Sequence, residues 1–199
     1  MKNEIREPRQ KRSIEKKNKI VKAGYELFSE VGYYRTNTAE IAKRAGVSTG
    51  IVYGYFQDKR DILINVLNIY INDVFAPIFN IINEIIPPIN YDVLIKDVLD
   101  AVILVHKNNE KIHEALHGLT STDEVVKNEF IKLEDDFTIK IAKKLEILNE
   151  KMPYKKEKIH LAMNLIQSFA HEYVFDNHDY LDYTFLKQTV INTIVNLFK

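Results

Sequence analysis

The chain has no cysteine, only five prolines and six glycines in 199 residues, and no long apolar run free of polar residues. Each scarcity excludes something. Without cysteine there is no disulfide framework, no thiolate metal site and no cysteine nucleophile. That fits a reducing cytoplasm, which is the expected location. The most apolar stretch runs from Ile62 to Ile89. Asn65, Asn68, Asn72, Asp73, Asn80, Asn83 and Glu84 interrupt it, and Pro77 sits inside it. A membrane span needs about 20 mostly apolar residues, so this stretch reads as buried helix, and no membrane partner is expected. The opening MKNEIREPRQKRSIEKKNK has no apolar run, so no secretory signal is expected either. No segment shows sustained period-two alternation, which leaves no sheet to expect.

The zero net charge hides an asymmetry. Residues 1–60 hold 14 Lys+Arg against 7 Asp+Glu, a net +7, and the remainder carries −7. A basic first third beside an acidic remainder fits a nucleic-acid-binding module joined to something else. Lys2, Arg6, Arg9, Lys11 and Arg12 concentrate part of that charge, and residues 1–12 read as a flexible basic arm.

Helical periodicity is what the chain has in abundance. Ile20, Ala23, Leu27, Phe28 and Val31 recur at three- and four-residue spacing from a start near Ser13, and Gly32 ends the run. Thr36-Asn37-Thr38 supplies N-cap chemistry for a short helix through Ile41, Ala42 and Ala45, stopped at Gly46. Ser48 and Thr49 can cap a third helix carrying Val52, Tyr53 and Phe56, and Asp58 a longer fourth one. Pro77 is expected to kink or end that helix. Asn90 can cap a helix from Tyr91 to about His106, and Asn108-Asn109 opens a short one ending near Gly118. Ser121 and Glu124 have capping-box spacing before a run from Val126 to Leu148, which Met152-Pro153 is expected to stop. Two more apolar faces follow, Ile159–Tyr173 and Leu186–Leu197. The expectation is all-α, with about nine helices.

Three of the six glycines fall in AGVSTGIVYGYFQDK, residues 45–59. A helix, a tight glycine turn and a second short helix make a helix-turn-helix. Ala42 and Ala45 are small enough for close helix approach. The second helix would present Ser48, Thr49, Gly50, Tyr53 and Tyr55 outward. Gly50 admits close approach of a DNA strand, and tyrosines offer hydroxyls to phosphates and rings to thymine methyls. Lys59 adds charge beside them.

With these residues in hand, Ile20–Leu63, IVKAGYELFSEVGYYRTNTAEIAKRAGVSTGIVYGYFQDKRDIL, resembles the DNA-binding region of the TetR family of transcriptional regulators. LFSEVGY, Thr36, EIAKRAGVS, G-x-V-Y-x-Y-F, Lys59 and Leu63 carry the likeness. Asn37 stands where the family usually has Thr or Ser, and Thr38 where an apolar residue is common. The resemblance implies a DNA-binding domain over 13–60 and an effector-binding and dimerisation domain over 61–199. It implies a homodimeric regulator, a repressor in the first instance, released from a palindromic double-stranded operator by a small-molecule effector. Thr36, Tyr53 and Lys59 would hold phosphates, with Asn37 and Ser48 at the same surface. Thr49, Gly50 and Tyr55 would face base edges. The last two helices, roughly Lys155–Asn177 and Asp182–Phe198, would form a four-helix bundle with a second copy through Ile166, Tyr173, Leu186, Val190, Ile194 and Leu197. The effector would sit among the middle helices. Candidate linings are Phe75, Phe79, Phe130, Phe137 and Met163, with His106, His117, Gln167 and His171 as polar anchors.

Two readings from other classes compete. His113-Glu114-Ala115-Leu116-His117 matches H-E-x-x-H, which on a helix places two imidazoles on one face for zinc. It would make the chain a metallopeptidase or a metal-responsive regulator. The segment is short, and no third ligand stands at the expected spacing. An architectural nucleic-acid-binding protein is the other rival, but it needs no acidic, apolar-rich C-terminal portion. The expectation is therefore of no enzyme, no catalytic residue, no cofactor and no resident metal.

Overall fold

The structure is a computed structural model; it describes residues 10–199, excepting the side chains of residues 72–74. Residues 1–9 of the basic arm lie outside the described residues. Nine α-helices and no strand occur among the described residues. Among the described residues they form two compact units that are discontinuous in sequence: residues 10–72 with 109–128, and 73–108 with 129–199.

The first unit contains α1 (Lys11–Val31), α2 (Thr38–Ala45), α3 (Thr49–Tyr55), the first half of α4 (Lys59–Asn83), α6 (Glu110–Thr120) and the first turn of α7 (Glu124–Ile147). Lys11 and Arg12, assigned to the arm by sequence, are helical. The apolar face of α1 buries Ile20 and Phe28 completely, alongside Ile41, Val52, Phe56 and Ile62. Full burial of each such side chain contributes about 1.5–3 kcal/mol. Gly24 sits on that face because a Cβ there would stand 2.8 Å from Ile62 Cγ2. Arg44 of α2 donates to Glu30 (2.8 and 2.9 Å) and Glu26 (3.4 Å), tying α2 to α1. The sequence division at residue 60 assigns α6 to the remainder, but its Ile112 and Leu116 are fully buried and it packs on α1.

Chain turns follow local chemistry. Asn37, rather than Thr36, caps α2: its side chain accepts from the Ala39 and Glu40 amides at 3.0 Å, and Glu40 accepts from the Asn37 amide. Gly46 closes α2 in the left-handed region at φ 68°. Ser48 caps α3, and the Asp58 carboxylate caps α4 through the Asp61 amide (2.9 Å). Asp123, rather than Ser121, caps α7 through the Val125 and Val126 amides. Ser121 instead closes α6, which runs through Gly118 to Thr120.

The second unit contains the rest of α4, α5 (Tyr91–Asn108), the rest of α7, α8 (Lys155–Phe175) and α9 (Tyr183–Phe198). Here α5 packs against α8 and α9, and α8 against α9. Leu99, Ala170 and Ile194 are fully buried among them. α4 continues through Pro77, which is neither an end nor a first-turn residue. By length and composition α4 could cross a membrane, yet Ile62, Leu63, Val66 and Leu67 are fully buried in the first unit's core. α7 ends before Met152-Pro153, because Asn149 adopts φ 59° and Glu150 N–H bonds the Leu145 carbonyl at 3.0 Å. Asp182 caps α9 through the Thr184 and Phe185 amides.

Candidate functional site

The turn between α2 and α3 brings the sequence-predicted residues of the first unit together, but not all in the expected roles. Asn37, Ser48, Thr49 and Gly50 are exposed. Ser48 and Asn37 spend a side-chain oxygen on capping. Tyr53 is 49% exposed, and its hydroxyl lies 2.9 Å from Thr38 Oγ1. Thr38, read from sequence only as cap chemistry, thus orients Tyr53 from the preceding helix. Arg35 and Lys43 are exposed in the same unit.

Three predicted contacts turn inward. Thr36 is 2% exposed, and its hydroxyl donates to the Gly32 carbonyl at 2.9 Å, stapling the loop between α1 and α2. Lys59 Nζ donates to the carbonyls of Tyr33 and Thr36, both at 2.8 Å, and stands 4.3 Å from the Tyr33 ring centroid. Burial holds the Lys59 pKa below the usual lysine range. Tyr55 is half-buried and its hydroxyl pairs with Ser13 of α1 at 2.7 Å, which takes it away from the outward face of α3.

The H-E-x-x-H residues are in α6. His113 is 3% exposed, with Nδ1 2.8 Å from the Tyr70 hydroxyl. His117 is exposed, and the two ring centroids are 4.1 Å apart. No group of three His, Cys, Asp or Glu side chains able to hold a metal occurs among the described residues.

In the second unit a cavity of about 70 Å³ lies among all five helices. Of the predicted lining, Phe137 and Met163 border it. Phe75 and Phe79 pack on Phe137, with ring centroids 5.1 and 4.6 Å away, and do not line it. Phe130 and Gln167 are half-buried elsewhere. His106 is buried, with Nδ1 2.8 Å from the Val102 carbonyl and its ring against Phe175, and burial lowers its pKa. His171 pairs with Asp176 at 3.3 Å. His117 belongs to the first unit. The anchors named from sequence are therefore not in the cavity. Its walls are mainly aliphatic, with Ile78, Ile82, Ile95, Ile141 and Ile159 among them. Periodicity marks such residues as core but cannot say which ones border a void.

The expected dimer residues divide. Ile194 is fully buried within one chain, and Ile166 is 6% exposed and borders the cavity. Both lie in the core of the single chain, as do Ile191 and Val195. Tyr173, Leu186, Val190 and Leu197 are half-buried, and Phe185 is 70% exposed.

The class defined by this geometry is a helical protein with an N-terminal helix-turn-helix. Residues 20–66 match the family described as bacterial regulatory proteins, tetR family. The match is confined to this segment, which carries the helix-turn-helix. It is 47% identical over 64 residues to the HTH-type transcriptional regulator HbdR of Aromatoleum sp. (strain CIB), a match covering 30% of this chain and 28% of that protein. The curated relatives are thus matched over only about a quarter of their length. The fold extends further. A TetR-family transcriptional regulator from Mesorhizobium loti superposes with a TM-score of 0.72 at 17% identity, over 94% of this chain and 97% of that one. A transcriptional regulator from Saccharomonospora viridis in complex with choline gives 0.68 at 14% identity, over 92% and 96%.

Proposed function

We propose that the chain is a homodimeric transcription regulator, a repressor released from a palindromic operator by a small-molecule effector. The observation that carries this is the exposed set Ser48, Thr49, Gly50 and Tyr53 on one helix-turn-helix surface, within the segment that matches the regulator family. These residues would meet the DNA backbone and base edges, with Tyr53 held for the task by Thr38. Lys59 and Thr36 would act indirectly, by fixing the loop from which α2 starts. The second unit would supply effector binding, and the half-exposed apolar residues of α9 the dimer contact. The chain would work in the cytoplasm beside its DNA and carry out no catalysis.

One helix-turn-helix reads few base pairs, so two heads at a spacing of about 34–36 Å, or a multiple, are needed. α4 and α7 contribute residues to both units. An effector that binds more tightly to one setting of these helices changes operator affinity by that differential, and by no more. The test is selection from random duplex DNA at fixed salt. A palindromic site with half-sites one or more turns apart supports the reading. Folded protein that enriches no sequence overturns it.

A further inference from the structure

We propose that Asp123 is a positioning residue for DNA reading: through Arg60 it locks the first turn of α4, and with it the C-terminal end of α3, to the corner between α6 and α7. The inference rests on the reading of α3 as the DNA-facing helix and says what holds that helix in place.

Asp123 is built as a fixed anchor. It is 7% exposed, and its amide donates to the Leu119 carbonyl at 2.8 Å. One carboxylate oxygen accepts from the Val125 and Val126 amides, at 3.0 and 3.2 Å, and Val126 is fully buried. The other oxygen accepts from Arg60 Nε. The Arg60 guanidinium holds the Asp123 carboxyl below the usual carboxylate range, so the pair is ionic at neutral pH. A helix cap needs only one side-chain oxygen, and an asparagine would supply it. The bond to Arg60 is what the second oxygen adds.

Arg60 passes the constraint on. Only Phe56, Gln57 and Asp58 separate α3 from α4, and Phe56 is fully buried. The Gln57 amide donates to the Asp61 carboxylate at 3.0 Å, and the Asp61 amide to the Asp58 carboxylate at 2.9 Å. The link and the first turn of α4 therefore move as one piece. Lys59 pins that turn to the loop between α1 and α2, and Arg60 pins it to the start of α7.

Arg60 is poorly suited to hold a phosphate itself. The carboxylates of Asp123 and Asp58 both raise its pKa, so a DNA strand would meet a positive charge already compensated. Its part in binding is preorganisation: a helix held in place beforehand loses less freedom when DNA fixes it.

The experiment uses the full chain with Arg60→Gln, Asp123→Asn, the two together, and Arg60→Lys as the conservative variant. Hydrogen exchange without DNA reads α3. Titration with the duplex obtained by random-DNA selection, over a range of salt, reads binding. Amides of residues 51–56 should exchange about tenfold faster in both single variants, with those of residues 20–28 unchanged. Operator affinity should fall about tenfold in each single variant and no further in the double one, because both changes break the same bond. Arg60→Lys, which keeps a charged donor, should recover most of the loss. The slope of log affinity against log salt should stay that of the wild type. A slope shallower by about one for Arg60→Gln, with Asp123→Asn binding normally, would make Arg60 a DNA contact and overturn the proposal. Losses that add in the double variant, or folded variants with unchanged α3 exchange or unchanged affinity, would overturn it as well. If circular dichroism finds Asp123→Asn unfolded, the contrast of Gln with Lys at Arg60 carries the test. A wild-type chain that selects no duplex sinks the regulator reading, and the exchange rates then decide the lock by themselves. A selected duplex bound equally well by every variant sinks this inference alone.

Discussion

The Lys59 ammonium joins two carbonyls, those of Tyr33 and Thr36, on the loop between α1 and α2. An ammonium committed to two short hydrogen bonds stabilises the fold more than an exposed lysine does. Lys59→Met should therefore lower unfolding free energy by about 1–3 kcal/mol in urea denaturation. If Lys59 were mainly a surface charge, stability would hold and only affinity for DNA would fall. At Tyr53 the expected pattern is the opposite. Tyr53→Phe removes a half-exposed hydroxyl and should reduce operator affinity several-fold at fixed salt, with the dimer unchanged. Unchanged affinity would remove Tyr53 from the DNA surface. The sequence distinguishes these two residues poorly. It places Lys59 beside the turn but cannot disclose that loop carbonyls twenty or more positions away claim its nitrogen. Tyr55 is hidden for the same reason, since Ser13 lies 42 residues away. The histidines mislead differently: a buried imidazole bonded through one nitrogen to its own helix, as in His106, or to a tyrosine, as in His113, has the same letters as a ligand anchor.

At the scale of the element, the turn chemistry is local and so was largely legible. Gly32, Gly46, Ser48, Asp58, Asn90 and Asp182 stand where the helices begin or end. Within Thr36-Asn37-Thr38 it is Asn37 that caps α2, and before α7 the capping-box spacing of Ser121 and Glu124 gives way to Asp123. Asn37→Ala removes a reciprocal capping box and should cost about 1 kcal/mol or somewhat more, read as a lower midpoint in denaturant. Gly24 offers a sharper test. In an isolated helix Gly→Ala gains about 1 kcal/mol. Here the new methyl meets Ile62, and overpacking of that kind costs about 1–3 kcal/mol, so Gly24→Ala should be neutral or destabilising. A clear gain in stability would show that α1 and α4 are not closely packed at this point.

For the whole molecule, stability should depend on pH through His106. Its pKa is lowered by burial from the ordinary 6.5, with nearby His171 adding to the effect. The unfolded chain then takes up a proton that the folded chain refuses, so stability is present above about pH 6.5 and falls as pH drops below it. Thermal unfolding between pH 7.5 and 5.5 should show the loss, and His106→Phe should flatten it; an unchanged slope in the variant would exclude His106 as the source. Self-association offers a second whole-molecule test. Val190→Glu with Leu197→Glu changes half-buried residues of α9, leaving Ile191, Ile194 and Val195 in the core. Sedimentation should then give monomers; a dimer that persists would move the interface off α9. The chain's discontinuous partition also bears on how heads can be exchanged between relatives. A graft joined just after residue 66, where the family segment ends, would carry a foreign α1 but leave the resident α6 to meet it. Ile112 and Leu116 would then be packed against a surface they were not matched to. A working chimera has to import residues 109–128 from the same parent as α1, so the portable cassette in this architecture is two separated stretches of chain rather than one.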